Sequence, residues 1–226
     1  MASIFPEMPI PPSSPLPDHR IRSARSRRGL TQVELMVSIV VIGVLASLLV
    51  PALLRVRLSS RNLQCVSQLR QCGTAALNYA NDRDGVFQSV MGGTIAANFW
   101  PNVLYRDHYL SDKNTTRCPS AYASIPIDNA AWMWRAYGLN MQEGPYSKVV
   151  SPNHRLRVRA VENPSSYPLI LDSFTKDGGT QTFRIGIGKE GAGCHHFGKA
   201  NVFFLDGHVD ALGPQELKDL GFLVYQ

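Results

Sequence analysis

The pattern of hydrophobic and polar positions divides the chain into three regimes. Residues 35–54 read LMVSIVVIGVLASLLVPALL, twenty positions without a charge. At about 1.5 Å rise per residue such a run spans roughly 30 Å as a helix, the thickness of a bilayer core. The helix is expected to begin near Thr31 or Gln32. Pro51 lacks an N–H and crowds the carbonyl four residues back, so a kink is expected there, and Gly43 is a second weak point. Beyond Arg55 the pattern turns amphipathic. Val56, Ser59, Leu63, Val66, Leu69, Gly73, Ala76 or Leu77, and Ala80 recur every three or four residues. Arg57, Arg61, Gln64, Gln68, Gln71 and Asn78 occupy the other faces. The turn formers Asn81-Asp82-Arg83-Asp84-Gly85 should end it. One helix of about fifty residues is predicted, with a lipid half and a half that packs on a body.

The body begins indistinctly. Trp100, Pro101, Leu104, Tyr105, Tyr109 and Leu110 suggest a short helix or loop packed on the core, and Cys118-Pro119-Ser120 is turn-like. Trp132, Trp134 and Tyr137 lead into Gly138-Leu139-Asn140, and these aromatics read as core because no basic groove accompanies them. From His154 strand patterns take over. Arg155-Leu156-Arg157-Val158-Arg159-Ala160-Val161 alternates, the mark of a strand with its arginines in water. Asn163-Pro164-Ser165 and Lys176-Asp177-Gly178-Gly179 read as turns. Pro168-Leu169-Ile170-Leu171-Asp172 reads as a buried strand. Asn201-Val202-Phe203-Phe204-Leu205, apolar on both faces, reads as a central one. Asp206-Gly207 is expected to be a two-residue type I′ hairpin turn returning through His208-Val209-Asp210-Ala211-Leu212. Pro214 to Leu220 closes the chain as a short helix with proline near its first position. The fold class is therefore α+β: a long N-terminal helix against a small antiparallel sheet.

Charge sharpens this picture at one end only. Residues 1–29 carry five arginines, at 20, 22, 25, 27 and 28, against Glu7 and Asp18, whereas the rest of the chain is nearly balanced. A basic stretch before an apolar helix fits a cytoplasmic N-terminus and an exported body. No basic stripe interleaved with aromatics follows, which argues against nucleic-acid partners. Six prolines within the first 19 residues mark that leader as disordered. A secretory signal would need a shorter apolar core and a cleavage site behind it, and cutting there would destroy the helix. A twin-arginine signal is argued against by Glu34, and a plain anchor leaves Glu34 unexplained.

The four cysteines leave alternatives open. Cys65 and Cys72, seven residues apart on one helix, are separated by about 10.5 Å of rise, too far to pair. Cys118 and Cys194 can pair with each other, each can pair with a helix cysteine, or all four can remain small half-buried residues. Cys194, His195, His196, His208, Asp206, Asp210 and Cys118 invite a metal or catalytic reading. They lack recognised zinc-ligand spacing, and adjacent residues on a strand point to opposite faces, so no metal is expected. No nucleophile pattern supports a hydrolase. Gly186, Gly188, Gly191 and Gly193 read as a loop rather than a phosphate cradle. The chain is not expected to be an enzyme.

Arg28-Gly29 followed by Leu30-Thr31-Gln32-Val33-Glu34-Leu35 resembles the class III signal of type IV pilins and type II secretion pseudopilins. His196, nine residues, then Asp206-Gly207 resembles the H-X9-DG segment of a large group of pseudopilin-like proteins. The helix stretch from Cys65 to Tyr79, Cys118-Pro119, Tyr137-Gly138-Leu139-Asn140 and the stretch from Pro164 to Asp172 are supporting matches. The resemblance implies that a prepilin peptidase cuts between Gly29 and Leu30 and that Leu30 is N-methylated. Glu34 would then be the fifth mature residue and Pro51 the twenty-second, as in the family. Leu30 departs from the family's usual phenylalanine. In the family the fifth-position carboxylate meets a neighbour's N-terminal amine during assembly. Physically, a carboxylate at the edge of lipid needs such a partner. The implied partners are the peptidase, other pilin or pseudopilin subunits, inner-membrane assembly machinery and membrane lipid. Major pseudopilins often hold calcium in a C-terminal loop, and Asp177-Gly178-Gly179 with Asp172 offers oxygen ligands. So few carboxylates argue against it, and no cofactor is expected. The organisation implied is a cleaved leader 1–29, a transmembrane half-helix 30–54, an amphipathic half 55–84, and an exported domain 85–226. The alternative is a single-pass anchored protein with a ligand-binding or enzymatic body.

Overall fold

A computed structural model describes residues 31–90, 99–121, 135–150, 153–175, 180–186 and 190–225. Gly29, Leu30, Trp132, Trp134, Gly188 and the turn at 176–179 lie outside the described residues. The chain divides into two units, Met1–Leu48 and Leu49–Gln226.

The first unit is described by helix alone. Helix α1, Gln32–Asn81, carries an apolar stretch of mean hydropathy 2.7 with none of it buried. It is the one described helix long and apolar enough to cross a membrane. A reciprocal cap fixes its start. The Glu34 N–H donates to Thr31 Oγ1 (3.2 Å), and the Thr31 N–H donates to Glu34 Oε2 (2.8 Å). This capping box satisfies two of the donors that any helix N-terminus leaves unpaired. The helix continues through Pro51 without a break in its assignment.

In the second unit α1 becomes a structural spine. Its buried positions are Cys65, Leu69, Cys72, Gly73, Ala75, Ala76, Tyr79 and Ala80. Val56, Ser59 and Leu63, expected on the packing face, are exposed; burial starts only at Cys65. The helix ends because Asp84 (φ +54°) and Gly85 (φ +74°) both turn left-handed, and the Gly85 N–H donates back to the Ala80 carbonyl (2.8 Å). A Cβ at Gly73 would lie 2.3 Å from the Phe203 ring, so glycine lets helix and sheet approach there.

Among the described residues the small antiparallel sheet is in fact three sheets, two of them mixed. Strands β1 (Val86–Val90), β3 (Ser147–Val150) and β4 (Asn153–Arg157) form an antiparallel sheet in the order β1-β4-β3. The arginines at 155 and 157 are exposed and His154 and Leu156 buried, as the alternation predicts. The strand stops at Arg157 rather than Val161. Its partner Val86 opposite Arg157 is the first residue of β1, behind the left-handed Gly85, and the chain turns into a 3-10 helix, Val158–Ala160.

The central sheet has five strands in the order β10-β9-β5-β2-β7. These are β10 (Val209–Leu212), β9 (Ala200–Phe204), β5 (Pro168–Leu171), β2 (Gly138–Asn140) and β7 (Arg184–Ile185); β2 and β7 pair in parallel. Both β5 and β9 are buried along their whole length. They separate two cores. Phe203 and Leu205 face the core containing Leu69, Trp100 and Tyr137, while Val202 and Phe204 face one containing Leu217 and Phe222. The third sheet joins β11 (Val224–Tyr225), β8 (Gly191–Gly193) and β6 (Ser173–Phe174), with β11 parallel to β8. Gly191 and Gly193 are therefore strand, not loop. A Cβ on Gly191 would lie 2.4 Å from the Leu223 carbonyl, the close approach that admits the parallel neighbour.

Helix α2, Trp100–Arg106, buries Trp100, Pro101, Val103 and Leu104, and the Trp100 indole donates to the Phe183 carbonyl (2.7 Å). Helix α3, Pro214–Asp219, begins where Glu216 Oε2 accepts the Gly213 N–H (2.7 Å).

The cysteine pairing differs from the candidate Cys118–Cys194 bond. Cys118 is bonded to Cys65 of α1, with a Cα–Cα distance of 5.0 Å, and Cys194 is a free buried thiol, as is Cys72. The turn that begins at Cys118 lies against α1, whereas the main chain of Cys194 is hydrogen-bonded to Tyr225 at the third sheet. The alternative in which Cys118 pairs with a helix cysteine is the one observed.

Candidate functional site

The residues singled out by the sequence fall into three places. Glu34 lies in the first turn of α1, exposed, its carboxylate engaged by the Thr31 N–H and by Thr31 Oγ1 (2.9 Å). A capping box is thus a local role for Glu34 that the Thr31-x-x-Glu34 spacing would have revealed. Pro51 lies within the same helix.

The H-X9-DG segment is pulled apart by its own strand. His196 precedes β9 and Asp206-Gly207 follows it, so the nine-residue spacing measures one strand and its flanks. Five strand residues separate the ends by about 17 Å. Asp206-Gly207 is not a two-residue type I′ turn. Val209 pairs with Phe203, the Gly207 N–H donates to the Phe204 carbonyl (3.0 Å), and the Phe204 N–H donates to the His208 carbonyl (2.9 Å). The loop has three residues, Leu205-Asp206-Gly207, and of these only Gly207 (φ +97°) is left-handed. Asp206 Oδ1 accepts the His208 N–H (3.1 Å) and meets the His208 ring, which stacks on Phe204 at 4.3 Å. That His208 N–H is the main cause holding the exposed Asp206 carboxyl below the usual carboxylate range. Asp210 is exposed and accepts the Ala211 N–H (2.7 Å).

The type I′ geometry occurs at the other end of β9. His196 and Lys199 bridge one another through reciprocal backbone hydrogen bonds of 3.0 Å. Between them Phe197 (φ +53°) and Gly198 (φ +79°) are both left-handed. Phenylalanine rarely adopts this conformation, and Phe197 holds it while 69% exposed.

That tight turn presses His196 into the body. Asp172, His195, His196 and Cys118 each offer one ligand atom, all within 4.8 Å of one another. Strand β5 carries Asp172 inward at its C-terminal end. The Asp172 N–H donates to the Asn201 carbonyl (3.0 Å), its carbonyl accepts the Gly193 N–H (3.0 Å), and its Oδ2 accepts the Asn201 N–H (2.8 Å). The Asn201 amide in turn donates to Asn62 Oδ1 on α1 (3.0 Å). His195 Nε2 lies 3.4 Å from Asp172 Oδ1, and His196 Nε2 lies 3.4 Å from Asp172 Oδ2. The two imidazoles are 4.5 Å apart by centroid, and Phe174 flanks His195 at 4.9 Å. His196 Nε2 also lies 3.1 Å from Cys118 Sγ.

Three buried atoms of this cluster make no hydrogen bond: Asp172 Oδ1 and both ring nitrogens of His195. Each such orphan costs on the order of 1–3 kcal/mol. Burial, with His195 beside it, holds the His196 imidazole below its ordinary value against the opposing pull of Asp172. Burial pushes the Cys194 thiol up, and the Asp172 charge adds to this.

The opposite-face argument against a metal therefore fails, because residues 194–199 form a turn and bridge rather than a strand. The cluster was missed for a second reason: Asp172 and the histidines are far apart in the sequence and are joined through β5–β9 and β6–β8 pairing. The signal available was an adjacent histidine pair together with a carboxylate ending an otherwise apolar buried strand. Asp172 points to the histidines, and the remainder of the candidate calcium loop, Asp177-Gly178-Gly179, lies outside the described residues. Compared with protein-family models, curated proteins and solved structures, the chain matches none of them.

Proposed function

We propose that the chain is a pilin-like or pseudopilin-like structural subunit. A prepilin peptidase cuts it between Gly29 and Leu30 and methylates Leu30. The residue 30–54 segment holds it in the inner membrane, N-terminus cytoplasmic and body exported. Inner-membrane assembly machinery then draws it with other subunits into a type II secretion pseudopilus or type IV pilus-like fibre. The observation that carries this reading is the character of α1. Its N-terminal half is apolar and uncovered by its own chain, while its C-terminal half is the spine of a disulfide-tied body. Such a helix needs lipid before assembly and neighbouring helices after it. The histidine cluster favours a second reading, an exported ligand-binding body on a single-pass anchor.

Mass spectrometry of the mature N-terminus separates the two. A chain beginning at methylated Leu30 supports the subunit; an intact leader sinks it. Glu34→Gln tests assembly more cleanly than Glu34→Ala. Glutamine also serves in a capping box, so the helix start survives while the charge is lost. Processing should stay normal and incorporation into sheared fibres should fall at least about tenfold, since tenfold corresponds to about 1.4 kcal/mol of lost pairing. Wild-type incorporation would remove the Glu34 charge from the mechanism.

A further inference from the structure

We propose that Asp172, His195 and His196 form a binding site for a divalent transition-metal cation such as zinc. The site lies within the body, independent of the assembly reading. Two imidazoles and one carboxylate suit zinc, cobalt or nickel rather than calcium or magnesium, which prefer all-oxygen shells. Ligand atoms about 2.0–2.1 Å from a tetrahedral ion lie about 3.3 Å from each other. The two carboxylate–imidazole separations here are both 3.4 Å, one to each oxygen of Asp172, and all the ligand atoms lie within 4.8 Å of one another, the spacing of a shared ion.

The orphaned atoms point the same way. Asp172 is fully buried, and its Oδ1 makes no hydrogen bond; neither does His195 Nε2 opposite it. These are the two atoms a cation between them would satisfy. The outer partners are already in place. Asn201 holds Asp172 through its N–H and is itself held by Asn62, the kind of support that orients a metal ligand. Cys118, the remaining member of the cluster, is occupied by its bond to Cys65 and supplies no thiolate in the oxidised chain. The site is reached through a shallow opening beside Leu58, Arg61, Ser120 and Phe197. The ion enters there.

The test uses the full chain in detergent, stripped with a chelator that is then removed, and titrated with zinc against a chromophoric competitor. One zinc per chain at sub-micromolar affinity is expected. His195→Ala deletes a ring that makes no hydrogen bond and should weaken binding at least about 100-fold, while His208→Ala, at the far end of β9, leaves it unchanged. Cobalt(II) should give the intense visible bands of a four-coordinate site in the wild type and lose them in His195→Ala. Zinc should also raise the urea midpoint of the wild type but not of His195→Ala. Failure of the wild type to retain zinc below micromolar concentration overturns the site whatever the variants do. So does equal binding by a folded His195→Ala.

Discussion

Reduction of the Cys65–Cys118 bond is expected to weaken the body by about 4 kcal/mol. The bond closes a loop with a sequence separation of 53 residues. In the chain-entropy picture a loop of that size removes about 14 cal/mol/K from the unfolded ensemble, or about 4 kcal/mol at 25 °C. Both sulfur positions are fully buried, so reduction leaves the packing atoms in place and isolates the cross-link. Cys72 and Cys194 are thiols either way and do not contribute to the difference. The assay is urea unfolding of the full chain in detergent, followed by tryptophan fluorescence, with and without reductant and with chelator present throughout. With an m-value of about 2 kcal/mol/M the midpoint should fall by about 2 M. A shift below about 0.3 M would refute the reasoning. So would a non-reduced peptide map joining Cys118 to Cys194.

Gly73→Ala should destabilise the body by about 2 kcal/mol even though alanine gains about 1 kcal/mol of helix propensity, because its methyl meets the Phe203 ring. Phe203→Leu in the same chain should recover part of the loss, a coupling that a double-mutant cycle in urea would measure. Burial depresses His154 from 6.5 to about 4. The unfolded chain then binds the proton first as pH falls, so stability is full above pH 6.5 and declines by up to about 3 kcal/mol towards pH 4. Urea midpoints at pH 7 and pH 5 should differ in that direction, and His154→Gln should flatten the difference; an unchanged slope would exclude His154 as its source.

How far the sequence could be read depends on the range of the interaction that fixes each element. The start of α1 was legible to within a residue and its end to within the Asn81–Gly85 turn, since the apolar run and the Asp84-Gly85 stop are local signals; the Thr31–Glu34 cap is equally local but was not read. Strands β5 and β9 were legible because burial on both faces writes a continuous apolar run. Where packing on α1 begins was not. Val56 and Leu63 have the right spacing but stay exposed, and the first buried residue of the helix is Cys65. The split into three sheets was hidden because β6, β7 and β11 are two residues long and carry no period. The type I′ turn expected after β9 lies before it for a reason of geometry. Phe197-Gly198 adopts the left-handed pair despite its phenylalanine, while Asp206 keeps an ordinary φ and leaves Gly207 to close a wider loop. The histidine cluster was the least legible, since its members lie on separate segments that meet only through strand pairing.

The Cys65–Cys118 bond also sets the route of mechanical load. A pull applied between the N-terminal side of α1 and the strands after Cys118 passes from Cys65 directly into Cys118 through sulfur. The remainder of α1, strand β1 and helix α2 all lie inside the bridged loop and carry no tension. About 180 Å of extended chain is thereby withheld from any stretching of the body, at roughly 3.4 Å per residue. Among the described elements, those that can be drawn out while the bond stands are α1 ahead of Cys65 and the strands and helix after Cys118, β2 to β11 and α3.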